Sequence, residues 1–286
     1  MLARRGTTLV ELIVAMTLAA IILSAATGTF VRQRRAASDH ASRVGAEAQL
    51  RAALGELQVA LAGVSASAGD LAPGEARDTA IQLRSLVGSA VACDSGAGQA
   101  TVAANDTSAT RASAFAANPR VGDTLWWRVS GASSWAARRV AVITTSVGAC
   151  PAAGADPQPL LRLTFTSADT VPRGVPLRVT RQERFSFYHA ADGSWQLGIS
   201  EWSDVLHAFA PPQPVAGPFR LVAPGARTGM RYFDASGAEL SMGAPGVTVS
   251  SVARVRVAVV APWLRSDGTP GPYRRDSLDL ALSHGP

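Results

Sequence analysis

The chain has 286 residues, of which 47% are hydrophobic and 17% are charged, and its formal net charge is +6. This length suffices for one large domain or two small ones after a membrane segment. All 27 basic residues are arginine, which indicates mainly a GC-rich coding bias. An excess of basic residues also favours binding to DNA or to anionic surfaces. However, no stretch of the sequence combines clustered arginines with aromatic residues, so the composition permits a nucleic-acid partner but does not indicate one.

A long apolar run, Leu12 to Val31, lies near the N-terminus and follows the segment Arg4-Arg5-Gly6-Thr7-Thr8-Leu9-Val10-Glu11. Between Thr7 and Val31 the only ionisable side chain is Glu11. A helix of about 25 residues rises roughly 37 Å, which is enough to cross a hydrocarbon core of about 30 Å. The segment can therefore span a bilayer.

A carboxylate at the start of such a span needs a partner, because a charged acid in the apolar zone costs about 2.5 to 3.5 kcal/mol on insertion scales. An amine would neutralise it. If the chain were cut after Gly6, the new α-amino group of Thr7 would lie one helical turn from Glu11, or would face the Glu11 of a neighbouring copy.

The segment Gly6-Thr7-Thr8-Leu9-Val10-Glu11-Leu12 resembles the class III signal of type IV pilins and type II secretion pseudopilins, in which a basic leader ends in Gly and the mature chain has Glu at its fifth position. The resemblance implies cleavage between Gly6 and Thr7 by a prepilin peptidase, N-methylation of Thr7, and use of Glu11 in packing subunits into a filament. The match departs at Thr7, where the family usually has Phe, and at Val10, where Ile is commoner.

Two simpler interpretations of this segment are an uncleaved signal anchor and a secretory signal peptide. A secretory signal would have an apolar core of about 7 to 15 residues and a small-x-small cleavage site. Ala25-Ala26-Thr27 offers such a site, but the run is longer and Glu11 interrupts its start.

The charged residues on the two sides of the span favour opposite orientations in the membrane. Arg4 and Arg5 favour a cytoplasmic N-terminus, whereas Arg32, Arg34 and Arg35 beyond the other end of the span favour the reverse. The peptidase that the resemblance implies acts at the cytoplasmic face, and Cys93 and Cys150 suggest an oxidising compartment. Both considerations place the C-terminal body outside the cytoplasm.

Helical spacing continues after the span, from Ser38 to Val64. The apolar stripe consists of Leu50, Leu54, Leu57, Leu61 and Val64, at intervals of three and four. Gly63 and the small polar residues after it predict the end of the helix. We therefore expect one long helix, kinked near Gly28 or Gly45, whose second half packs on a globular head.

From about Ala80 the periodicity changes from helical to alternating, which predicts strands. The predicted strands are Leu125–Val129, Arg139–Thr144, Leu161–Phe165, Leu177–Arg181, Phe185–Tyr188, Trp195–Ile199, Phe219–Val222, Met230–Phe233, Val252–Val259 and Ser277–Leu282. Asp192-Gly193 predicts a hairpin turn, because Gly accepts the positive φ that such turns require. Short turns without intervening helices favour antiparallel pairing, so the expected fold class is α+β: a long N-terminal helix on an antiparallel β-sheet head.

Two stretches, Ser89 to Pro119 and Pro211 to Pro218, lack clear periodicity and are predicted to be irregular. The first lies largely between Cys93 and Cys150. With no CxxC motif and no partner ligands, a disulfide formed in an oxidising, extracytoplasmic compartment is the simplest interpretation of these cysteines, and two free buried thiols are the alternative.

The late elements extend the resemblance. A hairpin with Tyr188 and Trp195, the segments Gly217–Val222 and Met230–Gly237, and an alternating Val/Arg strand from Val252 are similar to the heads of PilW-like minor pilins and J-type minor pseudopilins. This likeness implies a tip or priming subunit.

The sequence contains few motifs that would bring titratable side chains together in an active site. No HExxH, GxSxG, P-loop or GxGxxG motif occurs, and the acids near Asp192 and Asp234 are too few for calcium loops. The histidines are isolated in the sequence: His40, His189, His207 and His284. We expect no enzymatic activity, no metal and no cofactor; a membrane-anchored envelope hydrolase with paired carboxylates is the enzymatic alternative.

The expected organisation is a leader at residues 1–6, a membrane-spanning or filament-core helix at 7–31, its continuation at 32–64, and an extracytoplasmic β-rich head at 65–286. The resemblance implies a single-pass inner-membrane protein that later enters an extracytoplasmic filament, with other pilin or pseudopilin subunits and a prepilin peptidase as partners. Alternatives are a pilus-tip adhesin or DNA-uptake subunit, and an unprocessed envelope protein. The machine remains open among a type IV pilus, a type II secretion system and a competence apparatus.

Overall fold

A computed structural model of the protein describes residues 8–72, 76–104, 112–129, 135–204, 206–220 and 229–282. Gly6 and Thr7, at the expected cleavage and methylation positions, lie outside the described residues. The same holds for His284 and for the last two residues of the predicted strand Phe219–Val222.

One long helix, α1 (Leu9–Leu61), begins the described chain, and its 53 residues give a length of about 80 Å. It is continuous through Gly28 and Gly45, where the sequence predicts kinks. The helix ends at Leu61, and Gly63 follows with φ +78°, a conformation that glycine adopts readily. The expectation of one long N-terminal helix is confirmed.

The rest of the described chain is antiparallel β-structure with one short 3₁₀ helix at Val249–Ser251. The strands are β1 (Ala80–Val91), β2 (Gly96–Ala97), β3 (Gln99–Ala103), β4 (Ser113–Phe115), β5 (Thr124–Arg128), β6 (Trp135–Arg139), β7 (Val142–Cys150), β8 (Gly154–Thr164), β9 (Thr170–Val171), β10 (Pro176–His189), β11 (Trp195–Ser203), β12 (Ala208–Phe209), β13 (Gln213–Phe219), β14 (Gly229–Phe233), β15 (Glu239–Leu240), β16 (Arg254–Ala261) and β17 (Arg274–Ala281).

Strand β10 is the centre of the largest sheet. One of its edges pairs with β1, and the other pairs first with β5 and then with β11. Strands β4, β6, β12 and β13 extend this sheet, whereas β14 to β17 form a second sheet in the order β15-β14-β16-β17. Strands β3, β8 and β7 form a third sheet, and β2 pairs with β9. These antiparallel sheets, together with α1, bear out the α+β class.

The C-terminal half of α1 holds the head together. The predicted stripe Leu50, Leu54, Leu57, Leu61 and Val64 is buried throughout. It shares a hydrophobic core with residues from both larger sheets: Ile81, Phe185, Leu197, Phe219, Tyr232, Val255 and Val257. The helix therefore packs across the two sheets and joins them.

The predicted strand Arg139–Thr144 is two strands that belong to different sheets. Strand β6 ends at Arg139 and β7 begins at Val142. At the junction, the buried Val140 donates its amide to the Asp123 carbonyl (2.8 Å), whereas the Ala141 amide donates to Thr164 (2.7 Å). The alternating pattern is unbroken because the chain changes hydrogen-bond partners without a turn.

Both stretches predicted to be irregular contain strands, so that prediction was wrong. Residues 89–119 include the end of β1 together with β2, β3 and β4, and residues 211–218 include most of β13. In β3 the small residues Ala100 and Ala103 are buried, so no polar-apolar alternation appears. Strand β13 pairs with β11 through two register shifts, and the irregular pairing accommodates Pro214 and Pro218. Similarly, the two strands predicted between Leu177 and Tyr188 are one strand, β10.

The buried stripe generates a stability prediction. Leu57 is fully buried, so Leu57→Ala removes contacts and leaves a cavity, and we expect a loss of about 2 to 5 kcal/mol in unfolding free energy. Val59 lies on the opposite face and is 68% exposed, so Val59→Ala is the control and should leave stability nearly unchanged. Denaturant unfolding of the full chain in detergent, followed by near-UV circular dichroism, measures both; equal effects would contradict this packing.

Candidate functional site

The N-terminal half of α1 is an apolar helix without a covering surface in the described chain. Every residue from Thr8 to Ser38 is exposed, including large side chains such as Ile22 and Phe30. The helix is long and apolar enough to cross a membrane. Because contiguous apolar surface of this size is unfavourable in water, it needs lipid or another protein around it.

A reciprocal capping box starts this helix. Thr8 is the N-cap residue, and its Oγ1 accepts from the Glu11 amide at 3.4 Å. In return, Glu11 Oε2 accepts from the Thr8 amide at 2.9 Å and from the Thr8 hydroxyl at 3.3 Å. The cap satisfies backbone donors at the helix start and points the carboxylate back toward the N-terminus.

Sequence reasoning did not find this role for Thr8, although its signal is present. Thr8 and Glu11 have the T-x-x-E spacing of a capping box before an apolar run. The sequence predicts a different partner for Glu11, the α-amino group of Thr7, and Thr7 lies outside the described residues. Glu11 therefore has a local partner already, and both contacts that it accepts use the same oxygen, Oε2.

The hydroxyl groups within the apolar half are satisfied by the helix itself. Thr17 and Ser24 donate to the carbonyls of Val14 and Ile21, both at 2.9 Å. Thr27 and Thr29 donate to carbonyls four residues earlier, at 2.8 and 2.9 Å. Because no hydroxyl here needs an external partner, Glu11 is the one strongly polar group of this segment.

The two cysteines are bridged. Cys93 and Cys150 form a disulfide with an S–S distance of 2.05 Å, and both are buried. The bridge ties the chain after β1 to the end of β7, in a small core with Ala103, Ala112 and Leu160. The alternative of two free thiols is therefore wrong, and the pair belongs to the framework of the head.

Ion pairs hold several charged side chains of the head. Arg181 donates to both oxygens of the buried Asp123, at 2.8 and 2.9 Å. Arg178 donates to Asp70 at 2.7 Å and to the Gly63 carbonyl at 2.8 Å, which ties the end of α1 to β10. Within the part of the chain that the structure describes, no group of three or more His, Cys, Asp or Glu residues is placed to hold a metal ion.

The three tryptophans of β5 and β6 take different positions. Trp127 is buried and stacks on Phe165, with ring centroids 5.6 Å apart. Trp126 donates its Nε1 hydrogen to Thr180 at 2.9 Å, and Trp135 is exposed at the start of β6.

Glu183 is a half-buried acid in the middle of β10. Burial raises the pKa of its carboxyl group, and the carboxylates of Glu201, directly opposite on β11, and Glu56 raise it further. The nearby Ser85 hydroxyl and the charge of Arg181 lower the pKa of Glu183 without cancelling this rise. Like charges directly opposite across strands are destabilising.

No protein-family model, no curated protein and no solved structure matched this chain.

The raised pKa of Glu183 gives a pH-dependent prediction. The folded chain holds this proton more tightly than the unfolded chain, so stability falls as the pH rises through the unfolded value of about 4.3 and then the folded value. Glu183→Gln cannot ionise. We expect the variant to be more stable than the parent chain at pH 7 and the difference to vanish in acid.

Thermal melts of the full chain from acid to neutral pH would measure this difference. The matched control is Asp156→Asn, since Asp156 is an exposed acid on β8. A Glu183→Gln variant with a melting temperature below that of the parent chain at pH 7 would contradict this account.

Proposed function

We propose that this chain is a minor pilin or pseudopilin subunit, which enters a type IV pilus-like or type II secretion filament through its N-terminal helix. One observation carries the proposal: an exposed apolar helix with a single acid, Glu11, at its start is continuous with a helix buried in a β-rich head. The function is assembly, since the exposed half of α1 requires a cover and the described part of the head does not supply one.

The structure of α1 suits two successive environments. A lipid bilayer covers the exposed half before assembly, and helices from other subunits cover it afterwards. Because α1 is continuous and its second half is fixed by Leu57 and Leu61, bundling of the first half also positions the head on the filament.

Glu11 supplies the selectivity of that bundling. Its Oε2 already serves the helix cap, whereas Oε1 has no hydrogen bond among the described residues. A carboxylate accepts several hydrogen bonds, so the capped acid can still receive an ammonium group. The α-amino group of Thr7, created by cleavage after Gly6, is that ammonium in this proposal, supplied by the same chain or by a neighbour.

The resemblance at Gly6 to Leu12 assigns the processing and the location. A prepilin peptidase removes residues 1–6 and Thr7 is N-methylated. The subunit waits in the inner membrane as a single-pass protein with an extracytoplasmic head, a compartment in which the Cys93–Cys150 disulfide is stable. The likeness of the late strands to minor subunits supports a position at the filament tip or in its priming complex.

The processing step predicts the native N-terminus. Mass spectrometry of the protein purified from its own membrane should show a chain that begins at methylated Thr7. A Gly6→Ala substitution should leave the leader attached, because the peptidase signal is lost, and a conservative change outside the signal, such as Ala3→Ser, should be processed normally. A native chain that begins at Met1 or near Thr27 would contradict the proposal.

Variants at Glu11 and Thr8 separate charge pairing from helix capping. Glu11→Gln keeps a residue that can complete the capping box but loses the charge, whereas Thr8→Ala loses the cap and keeps the carboxylate. If pairing recruits the subunit, Glu11→Gln should lower co-purification with cross-linked filament subunits about tenfold or more, because an unpaired buried charge is left on the partner.

Thr8→Ala should then assemble nearly as well as the parent chain. The reverse ranking, with Thr8→Ala defective and Glu11→Gln normal, would show that the cap matters and the charge does not. Glu11→Ala removes both the carboxylate and its part in the capping box, so it is the reference for complete loss of assembly.

A further inference from the structure

The connection between β16 and β17 is a rigid hairpin extension that reaches from the head to α1. The Gly271 amide donates to the Trp263 carbonyl, and the Arg265 amide to the Thr269 carbonyl, both at 2.9 Å. Trp263 Nε1 donates to the Pro272 carbonyl at 2.6 Å. The Trp263 ring lies so close to Gly271 that a Cβ there would be 2.2 Å from it, so the ring packs directly on the backbone of the returning segment.

Two polar contacts hold the extension against the helix. Arg274, at its base, pairs with Glu47 at 3.3 Å, and the Ser266 amide, at its tip, donates to the Asp39 carboxylate at 2.5 Å. Glu47 and Asp39 are about 12 Å apart along the helix axis. The tip therefore points along α1 toward the apolar half.

A notch lies between this tip and the helix. Its volume is about 310 Å³, and it is lined by Phe30, Val31, Arg34, Arg35, Ser38 and Ser266. Phe30 and Val31 give the lining an apolar part, and Arg34 and Arg35 give it two arginine side chains, whose guanidinium groups match the geometry of phosphate oxygens. The nearby acids are engaged, because Asp39 accepts from Ser266 and Asp267 accepts from Thr269.

The level of the notch on α1 identifies its occupant. Val31 is the last residue of the apolar run, so the notch lies where a membrane-spanning α1 leaves the hydrocarbon for the headgroup layer. The same extension also exposes the apolar side chain of Leu264, two residues before Ser266. Arg32, Arg34 and Arg35, whose charges oppose the expected orientation of the span, lie at this level.

We propose that the notch binds the headgroup of an anionic phospholipid, with Arg34 and Arg35 on the phosphate and with Phe30 and Val31 against the start of the acyl chains. This inference rests on the part of the proposed function in which α1 spans a membrane before assembly. The bound lipid fixes the height and tilt of the head above the bilayer, and entry into a filament requires its release.

Native mass spectrometry of the full chain in non-ionic detergent, titrated with phosphatidylglycerol or phosphatidylcholine, tests the site. We expect retention of phosphatidylglycerol over phosphatidylcholine and a loss of about tenfold in its affinity for Arg34→Gln/Arg35→Gln. The control Arg32→Gln/Arg51→Gln removes the same charge from the same helix outside the notch. An equal loss in both double variants would mean diffuse attraction and would overturn the proposal, as would displacement of the lipid by excess inorganic phosphate.

Asp39 provides a test in which charge and structure predict opposite results. If only charge matters, Asp39→Ala should strengthen binding of an anionic lipid, because a negative charge is removed. If the built notch matters, the variant should weaken binding, because the tip at Ser266 loses its contact with α1. Asp39→Asn keeps an acceptor oxygen and should bind like the parent chain or better.

Stronger binding by Asp39→Ala would overturn the proposal. These measurements use the unassembled subunit, so their outcome for lipid binding does not depend on whether the subunit enters a filament. Lipid binding that is normal in Glu11→Gln, together with lost assembly, would separate the two roles of α1.

Discussion

The packing of the C-terminal half of α1 across two β-sheets is the contact on which the rest of the molecule depends. Leu57 and Leu61 are almost fully buried there, and Arg178 ties the end of the helix to β10 through Asp70 and Gly63. Because the helix is unbroken from Leu9 to Leu61, fixing one half fixes the direction of the other. A hinge at Gly28 or Gly45 would uncouple them. The continuous helix instead makes the apolar half a rigid extension of the head, so a displacement along its axis moves the whole molecule.

Local patterns in the sequence predict the elements whose hydrogen bonds or packing are local. The leucine spacing identifies α1, and the Asp192-Gly193 turn identifies the β10–β11 hairpin, in which His189 lies opposite Trp195. The sheet change at Val140 has no local signal, since it depends on partners contributed by Asp123 and Thr164. The Thr8 cap was readable from its spacing, whereas the contact of Asp39 with Ser266 joins residues 227 positions apart and could not be predicted from either segment.

Several arginines of the head are engaged in ion pairs and ring contacts and therefore do not form a free cationic surface. Arg231, Arg254 and Arg256 all lie over the Phe233 ring, within 5.3 Å of its centroid, and each also pairs with an acid, Glu239 or Asp279. Guanidinium groups stack on aromatic rings and pair with carboxylates at the same time, which an ammonium group does less well. Part of the formal charge of +6 therefore serves packing on the outer face of the second sheet. The arginines of α1 next to the apolar run differ, because Arg34 and Arg35 line a notch instead of covering a ring.

The helix cap also restricts how the proposed filament contact can form. With Oε2 of Glu11 held by Thr8, the carboxylate lies at the N-terminal end of its own helix, and Oε1 is the oxygen left for a further partner at that end. An ammonium group can reach it only at the level of the first helical turn. A neighbouring subunit must therefore align its own N-terminus to within about one turn, roughly 5 Å, to form the pair. Since each head is attached to its helix without a break, the same pairing would set the axial offset between adjacent heads, and a single acid would fix both the choice of partner and the spacing of the assembly.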